Sequence, residues 1–175
     1  MYCHFSFPRN PCIRFSSTGN KVISNTAIET SIFDGGTGSL TINPHLYIGN
    51  IIRIYATGYL STGSAQNSTI RFKLNGTTLV ASLGTLPNNL SNNYFETTGI
   101  ISVRECGANG KVTVQGRSII SVASGIAGLV MRPIISTGEI PVDLTPPQTI
   151  DVSYQWAEAL EANSLTITNS YVEIN

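Results

Sequence analysis

Apolar and polar residues alternate with a period of two through most of the chain. In the clearest case, residues 149–157, the side chains at positions 150, 152, 154 and 156 are apolar or aromatic and those between them are polar. Alternation over this length is typical of a half-buried strand. The stretch contains the only tryptophan of the chain, Trp156. We therefore predict that it supplies the largest single part of the core.

The same pattern predicts further strands, separated by glycine, proline and asparagine. They are residues 28–33, 39–43, 50–60, 69–75, 77–81, 94–106, 111–119 and 164–174, with a less regular stretch at 121–133 and a crossing strand within 134–148. Asn75-Gly76 is the strongest hairpin signal, because a type I′ turn needs positive φ at both central positions. Gly58, inside a strand, predicts a bulge or a close approach of two backbones. Residues 156–163 are compatible with one or two helical turns.

Many short strands without a long amphipathic helix indicate an all-β fold, either a sandwich or a barrel. The strands differ in length and their connections are uneven, which favours a single β-sandwich of the jelly-roll type over an up-and-down barrel. We predict that this domain spans residues 28–175. Residues 1–27 lack a clean periodicity, and we predict that they form an extended N-terminal arm that is ordered only where something ties it down.

The low charge of the chain limits the kinds of partner that we expect. Charged residues make up 11% of the chain and the formal net charge is zero, whereas roughly 25% of a typical soluble domain is charged. The chain has no basic stripe for nucleic acid, no apolar run long enough to cross a membrane and no secretory signal at its start. We therefore expect that it does not bind nucleic acid, span a membrane or enter the secretory pathway. A surface this neutral has little charge to keep copies apart, which suits a subunit of a larger assembly.

The three cysteines, Cys3, Cys12 and Cys106, follow no regular framework. Secreted domains that are held together by several disulfides usually have an even number of cysteines, so synthesis in a reducing cytosol is the simpler interpretation here. Cys3, His4 and Cys12 together lack a fourth ligand and do not have the spacing of a zinc knuckle. We therefore expect neither a metal ion nor a cofactor.

Candidate catalytic groups are few. His45 is the more plausible partner for a nucleophile, but its spacing suggests no such partner. Seven glutamates and three aspartates leave a carboxylate pair for glycoside hydrolysis as an alternative. Most of them fall at outward strand positions or in loops, as Asp151 and Glu173 do, where solvated surface is the simpler interpretation. We predict no catalytic residue and no enzymatic activity.

Two features suggest binding surfaces. Arg53, Tyr55 and Tyr59 face outward from one predicted strand, and exposed aromatics beside a cation stack on sugar rings or form protein interfaces. Cross-strand packing on an outer face is the alternative interpretation. Residues 125–131 have no polar face, so they form either a buried core strand or a contact between subunits. The candidate residues for that contact are Ile126, Leu129, Val130 and Met131.

Several segments occur in an order that is found in a known family. They are residues 38–44, 48–58, 69–74, 143–156, 163–169 and 172–174. A strand of the Ile-Arg-Ile type ending near a glycine precedes a closing strand of the type Gln-Thr-Ile-Asp followed by Gln-Trp. In this order the chain resembles bacteriophage virion-surface jelly-roll proteins of the head-fibre, capsid-decoration and tail receptor-binding types. The resemblance covers residues 28–175 and concerns order and pattern, not a catalytic motif.

The resemblance implies a non-enzymatic virion subunit, made in the host cytoplasm and usually a homotrimer. The short cysteine-bearing arm has no coiled coil or repeat, which favours a compact spike or capsid-bound subunit over a long fibre. We expect the arm to anchor on other virion proteins and the β-domain to contact a host-surface glycan. The alternative is a carbohydrate-binding β-sandwich module that uses the outer tyrosines. The candidate anchor residues are Phe5, Phe7, Ile13 and Phe15.

Overall fold

The computed structural model describes residues 13–34, 40–42, 46–122 and 128–175. Within these ranges the chain forms thirteen strands and no α-helix. The strands are β1 (Ile13–Ser16), β2 (Lys21–Ser24), β3 (Thr30–Ser31), β4 (Leu40–Ile42), β5 (Ile51–Thr62), β6 (Gln66–Leu74), β7 (Thr77–Leu86), β8 (Leu90–Glu105), β9 (Gly110–Ser121), β10 (Leu129–Ile135), β11 (Ile140–Val142), β12 (Gln148–Trp156) and β13 (Ser164–Ile174).

The strands form two antiparallel sheets that pack face to face. Sheet A has the order β1-β13-β5-β8-β9-β10, with β2 also paired to β13 and β11 to β9. Sheet B has the order β3-β12-β6-β7, with β4 also paired to β12. The last two strands each enter a different sheet and lie between early strands and the β5–β8 region, which is the double Greek key of a jelly roll. The predicted all-β jelly-roll sandwich is confirmed.

Sheet A is wider than sheet B because three strands are inserted between β8 and β12. Strands β9, β10 and β11 extend sheet A past β8, so sheet A has eight strands and sheet B has five. The insertion includes the stretch at 121–133 that the sequence presents as irregular. Its last residues belong to β10, an edge strand paired with β9.

A buried arginine ties this insertion to sheet B. Arg132 of β10 is only 7% exposed, and its guanidinium donates hydrogen bonds to Ser68 Oγ at 2.9 Å and to the carbonyl oxygen of Thr85 at 3.0 Å. The side chain crosses Gly84, where a Cβ would lie 2.5 Å from Arg132 Nε. The absence of a side chain at Gly84 therefore leaves room for the arginine to reach the β6–β7 hairpin.

The core is centred on the inner face of β12. Ile150, Val152, Tyr154 and Trp156 are at most 1% exposed, which confirms the predicted alternation. The Tyr154 ring meets Trp156 edge-on with centroids 5.0 Å apart, and meets Phe95 of sheet A at 6.1 Å. These contacts join both sheets through large aromatic surfaces.

Two predicted glycine features are present. Asn75 and Gly76 have φ values of 49° and 73°, as the hairpin between β6 and β7 requires. Gly58 of β5 pairs with Ile167, directly beside the bulge in β13. A Cβ on Gly58 would overlap the carbonyl oxygen of Thr166, so the close backbone approach is confirmed, whereas the neighbouring bulge belongs to the partner strand β13.

Residues 157–163 form bends and a turn, so the predicted helical turns are wrong. The amide of Asn163 donates to the carbonyl oxygen of Leu160, and Asn163 Oδ1 accepts a hydrogen bond from the amide of Gly63. These bonds close a compact connection between β12 and β13. A segment this short gains little from helix formation, because the first helical turn fixes several residues for one hydrogen bond.

Part of the predicted arm lies in sheet A. Strands β1 and β2 both pair with β13, and Phe15 is half-buried against the core. Phe5 and Phe7 lie outside the described residues, so the boundary at residue 27 and the anchoring role stay predictions. Cys106 at the end of β8 is disulfide-bonded, which the odd cysteine count did not predict.

The outer face of sheet B carries a network of polar side chains. Glu29 accepts hydrogen bonds from Lys73 Nζ and Ser153 Oγ, both at 2.7 Å, and Arg71 NH1 lies 3.5 Å from its other oxygen. The bond from Lys73 is the main cause that holds the pKa of Glu29 below its usual value, with Ser153 next. The segment before β3 is thereby fastened across β6 and β12.

Gly99→Ala is expected to destabilise the fold. Gly99 of β8 faces the other sheet, and a Cβ there would overlap the ring of Phe72, which is fully buried. Forcing that ring to move should lower the free energy of unfolding by about 1–3 kcal/mol. Gly138→Ala is the matched control, because a Cβ there meets nothing within 4 Å. Urea unfolding of both variants measures the difference, and equal midpoints would contradict this packing.

Glu29→Gln is expected to lower stability near pH 7 by about 1 kcal/mol, or roughly 2–4 °C in Tm. Because the pKa of Glu29 is lower in the folded chain than in the unfolded chain, its stabilisation is complete above the unfolded pKa and is lost as the pH falls through the folded pKa. The difference between the variant and the natural chain should therefore shrink on acidification. Thermal unfolding as a function of pH measures it, and a constant difference would refute the network.

Candidate functional site

Exposed apolar side chains concentrate on the outer face of sheet A. Eleven large apolar side chains are exposed among the described residues, and seven of them lie on this one face. Each of the seven is between 41% and 62% exposed. They are Val22, Tyr59, Tyr94, Ile100, Leu129, Met131 and Ile135. The contrast with the polar network on sheet B makes this the candidate interaction face.

The alternation within each strand decides which side chains reach this face, and the register decides which of them are neighbours. Inward residues of β5 are buried while Arg53, Tyr55 and Tyr59 point outward, as predicted. Pairing across the sheet then builds two adjacent rows. One row is Glu173, Arg53, Ile100, Gln115 and Ile135, and the other is Tyr171, Tyr55, Thr98, Arg117 and Pro133.

These two rows border an open groove of about 580 Å³. The rings of Tyr55 and Tyr171 stack in it with centroids 5.2 Å apart and planes inclined by 24°. Arg53, Gln115 and Arg117 also line the groove. The groove therefore combines an aromatic pair with planar groups that donate hydrogen bonds.

The charges in the groove are not balanced. Arg53 NH1 lies 3.9 Å from Glu173 Oε1, and both side chains are partly exposed. This ion pair therefore contributes little to the stability of the fold. Arg117 is exposed and its guanidinium has no ion pair or hydrogen bond within the described residues. Two guanidinium groups thus face one carboxylate.

A second tyrosine pair adjoins the groove further along β5. Tyr59 pairs directly with Tyr94 of β8. The hydroxyl of Tyr94 donates to Glu96 Oε2 at 2.7 Å, and desolvation, followed by this hydrogen bond, raises the pKa of Tyr94 above its ordinary value. Tyr94 is therefore a neutral ring with a fixed hydroxyl over the physiological pH range.

The predicted binding residues are only partly neighbours in the groove. Arg53 and Tyr55 line it, whereas Tyr59 lies outside the lining, beside Tyr94. Sequence reasoning did not identify Tyr171 and Arg117 as part of the same site. Arg117 falls at an outward position of the alternation in β9, but no local pattern states that β9 lies two strands from β5, with β8 between them. A binding role for all of these residues stays a prediction.

The predicted subunit contact lies on the edge strand β10. Leu129 and Met131 are exposed, Val130 is half-buried on the opposite side, and Ile126 lies outside the described residues. With Ile135, the two exposed side chains form an apolar stripe along the edge of sheet A. Pro133 lies within this strand, and a residue without an N–H donor limits the addition of another strand there.

The described residues contain no group of three or more histidine, cysteine or acidic side chains that would hold a metal ion. They also include no helix that is long and apolar enough to cross a membrane. His4 and His45 lie outside the described residues. What the groove offers chemically is stacking, hydrogen bonding and positive charge.

Comparison of the sequence with protein-family models and with curated proteins gives no match. Comparison of the fold with solved structures gives a similarity to the CBM2 module of the evolved Dit of Lactobacillus casei BL23 phage J-1. The two chains are 8% identical, over 88% of this chain and 67% of that chain, with a TM-score of 0.30. A TM-score of this size gives no basis for transferring a function to this chain.

Proposed function

We propose that the chain is a non-enzymatic bacteriophage virion-surface protein that adheres to carbohydrate on the host through the outer face of sheet A. The observation that carries the adhesive role is the groove beside the stacked Tyr55 and Tyr171. The resemblance of residues 28–175 to virion-surface jelly-roll proteins supports the viral context. The unbalanced arginines and the amide of Gln115 support polar recognition next to the rings.

The chemistry of the groove suits a sugar chain. One face of a pyranose ring is formed by C–H groups, which pack against an aromatic ring, while its rim of hydroxyls needs directional hydrogen-bond partners. Tyr55 and Tyr171 offer the first kind of surface, and Arg53, Gln115 and Arg117 offer the second. The groove is open to solvent, so a sugar chain longer than the groove can bind without being enclosed.

The outer face of sheet B is a poorer candidate for the same role. Its charged groups already have polar partners: Lys73 and Ser153 donate to Glu29, and Ser31 donates to Asp151 at 2.6 Å. Binding there would require these bonds to be broken. In the groove of sheet A, the guanidinium of Arg117 has no such bond within the described residues, so it can exchange water for a ligand without breaking one.

A second candidate role, that of a homotrimeric capsid-bound or tail-bound subunit, is favoured by the stripe on β10. Leu129, Met131 and Ile135 are 46%, 62% and 59% exposed, and covering them would contribute about 25 cal/mol for each Å² of apolar surface removed from water. The N-terminal arm would then dock on other virion proteins, as in a compact spike or a decoration or head-fibre subunit. The two roles share only Ile135, which belongs to the stripe and also lines the groove, whereas Tyr55, Tyr171 and Arg117 lie outside the stripe.

Tyr55→Ala is expected to reduce polysaccharide binding at least about tenfold, because it removes one of the two stacked rings and leaves the backbone unchanged. Tyr47→Ala is the control, since Tyr47 is 43% exposed but lies outside the groove. Glycan-array and calorimetric binding of the full chain measure the effect. Equal losses in both variants, or none in either, would count against the groove as the adhesive site.

Replacing both Leu129 and Met131 by serine is expected to dissociate the trimer. Light scattering at micromolar concentration should give a trimer for the natural chain and a monomer for the double variant. Leu83→Ser is the control, because Leu83 is 68% exposed on β7 of sheet B. A natural chain that is monomeric at these concentrations would exclude the stripe as a self-association surface.

A further inference from the structure

We infer, building on the proposed adhesive function, that the groove selects an acidic polysaccharide and that Arg117 binds its anionic group. Two arginines line the groove, and the single carboxylate of the same two rows, Glu173, lies 3.9 Å from Arg53. The groove therefore has an excess of one positive charge although the whole chain has a formal net charge of zero. A charge concentrated in this way favours a ligand of the opposite sign.

The position of Arg117 fits a ligand that is stacked on the tyrosines. Arg117 pairs with Thr98, and Thr98 pairs with Tyr55, so the three residues form one row across β9, β8 and β5. Neighbouring strands are roughly 4.8 Å apart, which places the backbones of Arg117 and Tyr55 about 10 Å apart. A sugar ring on Tyr55 would extend its substituents over the short side chain of Thr98 towards the guanidinium.

The guanidinium of Arg117 is available to bind an anionic group. It makes no ion pair or hydrogen bond within the described residues, whereas Arg71 lies near Glu29 and Arg132 bonds to Ser68 and Thr85. A guanidinium presents two parallel N–H donors that match the two oxygens of a carboxylate or a phosphate. Arg117 therefore has its donors available for an acidic substituent at the rim of the groove.

A second copy of this chain is a less suitable occupant of the groove. Symmetric pairing through this face would bring two positively charged grooves together, and like charges across an interface oppose association. A trimer formed through the β10 stripe would use Ile135 of the lining but not Tyr55, Tyr171 or Arg117. Carboxylate and phosphate groups share the chemistry that Arg117 recognises, so the test must include a polymer of each kind.

Arg117→Gln tests the inference on the full chain with three probes. Dextran is the neutral polysaccharide, alginate carries carboxylates and a phosphomannan carries phosphodiesters. The variant is expected to bind the acidic polymers about tenfold more weakly or worse. It should lose less affinity for dextran, because glutamine keeps N–H donors for neutral hydroxyls but not the charge. Affinity of the natural chain for the acidic polymers should also fall as salt is raised.

Arg104→Gln is the matched control. Arg104 lies outside the groove lining and donates to Thr113 Oγ1 at 3.3 Å. Both variants lose one positive charge, so if net charge alone mattered, both would bind the acidic polymers more weakly by the same factor. Preferential loss in Arg117→Gln supports the assignment, and preference for alginate or for the phosphomannan identifies the anionic group.

Three results would overturn one proposal or both. Binding to dextran that equals binding to the acidic polymers, with no effect of Arg117→Gln, would refute acidic selection and leave adhesion in place. Equal losses in the Arg117 and Arg104 variants would refute the role of Arg117. No binding to any of the three polymers would refute the adhesive function together with the inference.

Discussion

The contact between the inner face of β12 and sheet A holds this molecule together. Tyr154 and Trp156 lie in sheet B, yet Tyr154 meets Phe95 of β8, and Trp156 Nε1 donates to the carbonyl oxygen of Ile23 in β2 at 3.4 Å. Both aromatic residues are at most 1% exposed. Because these rings span the space between the sheets, the relative position of the two sheets depends on them, and so does the course of the segment before β3.

The same packing determines which surface is left for interaction. The inner faces of both sheets are occupied by the core, and the outer face of sheet B is occupied by its own ion pairs and by the segment that contains Glu29. The outer face of sheet A also has ion pairs, Arg53–Glu173 and Lys111–Glu105, but most of the exposed large apolar side chains of the described residues lie on it. Its apolar side chains remain in water, at a cost that a partner would relieve.

The insertion of β9–β11 makes the groove. Gln115, Arg117 and Ile135 all belong to it, and a sandwich without these strands would end at β8. The insertion stays in line with sheet A because it pairs with β8 and because Arg132 fastens β10 to the β6–β7 hairpin. Arg132 has no ion pair with a carboxylate within the described residues, and burying an unpaired charge lowers the stability of a fold. The arginine therefore positions the edge strand at a cost in stability.

The sequence by itself determined the local features. Period-two alternation predicted the strands and showed that Arg53, Tyr55 and Tyr59 point outward, and the φ requirements of Asn75-Gly76 predicted the hairpin. Close backbone approach at Gly58 was likewise predictable, because a glycine inside a strand marks a bulge or a place where another backbone comes close. The jelly-roll architecture followed from the number and spacing of the strands.

Only the tertiary structure decided which strands are neighbours. Tyr171 lies beside Tyr55, and Arg117 lies two strands away, because hydrogen bonds and core packing between distant segments set the register. Alternation repeats every two residues and is satisfied equally by many pairings, so it cannot select one. For the same reason β1 and β2 were not predicted in sheet A: they are short, and only their pairing with β13 makes them strands.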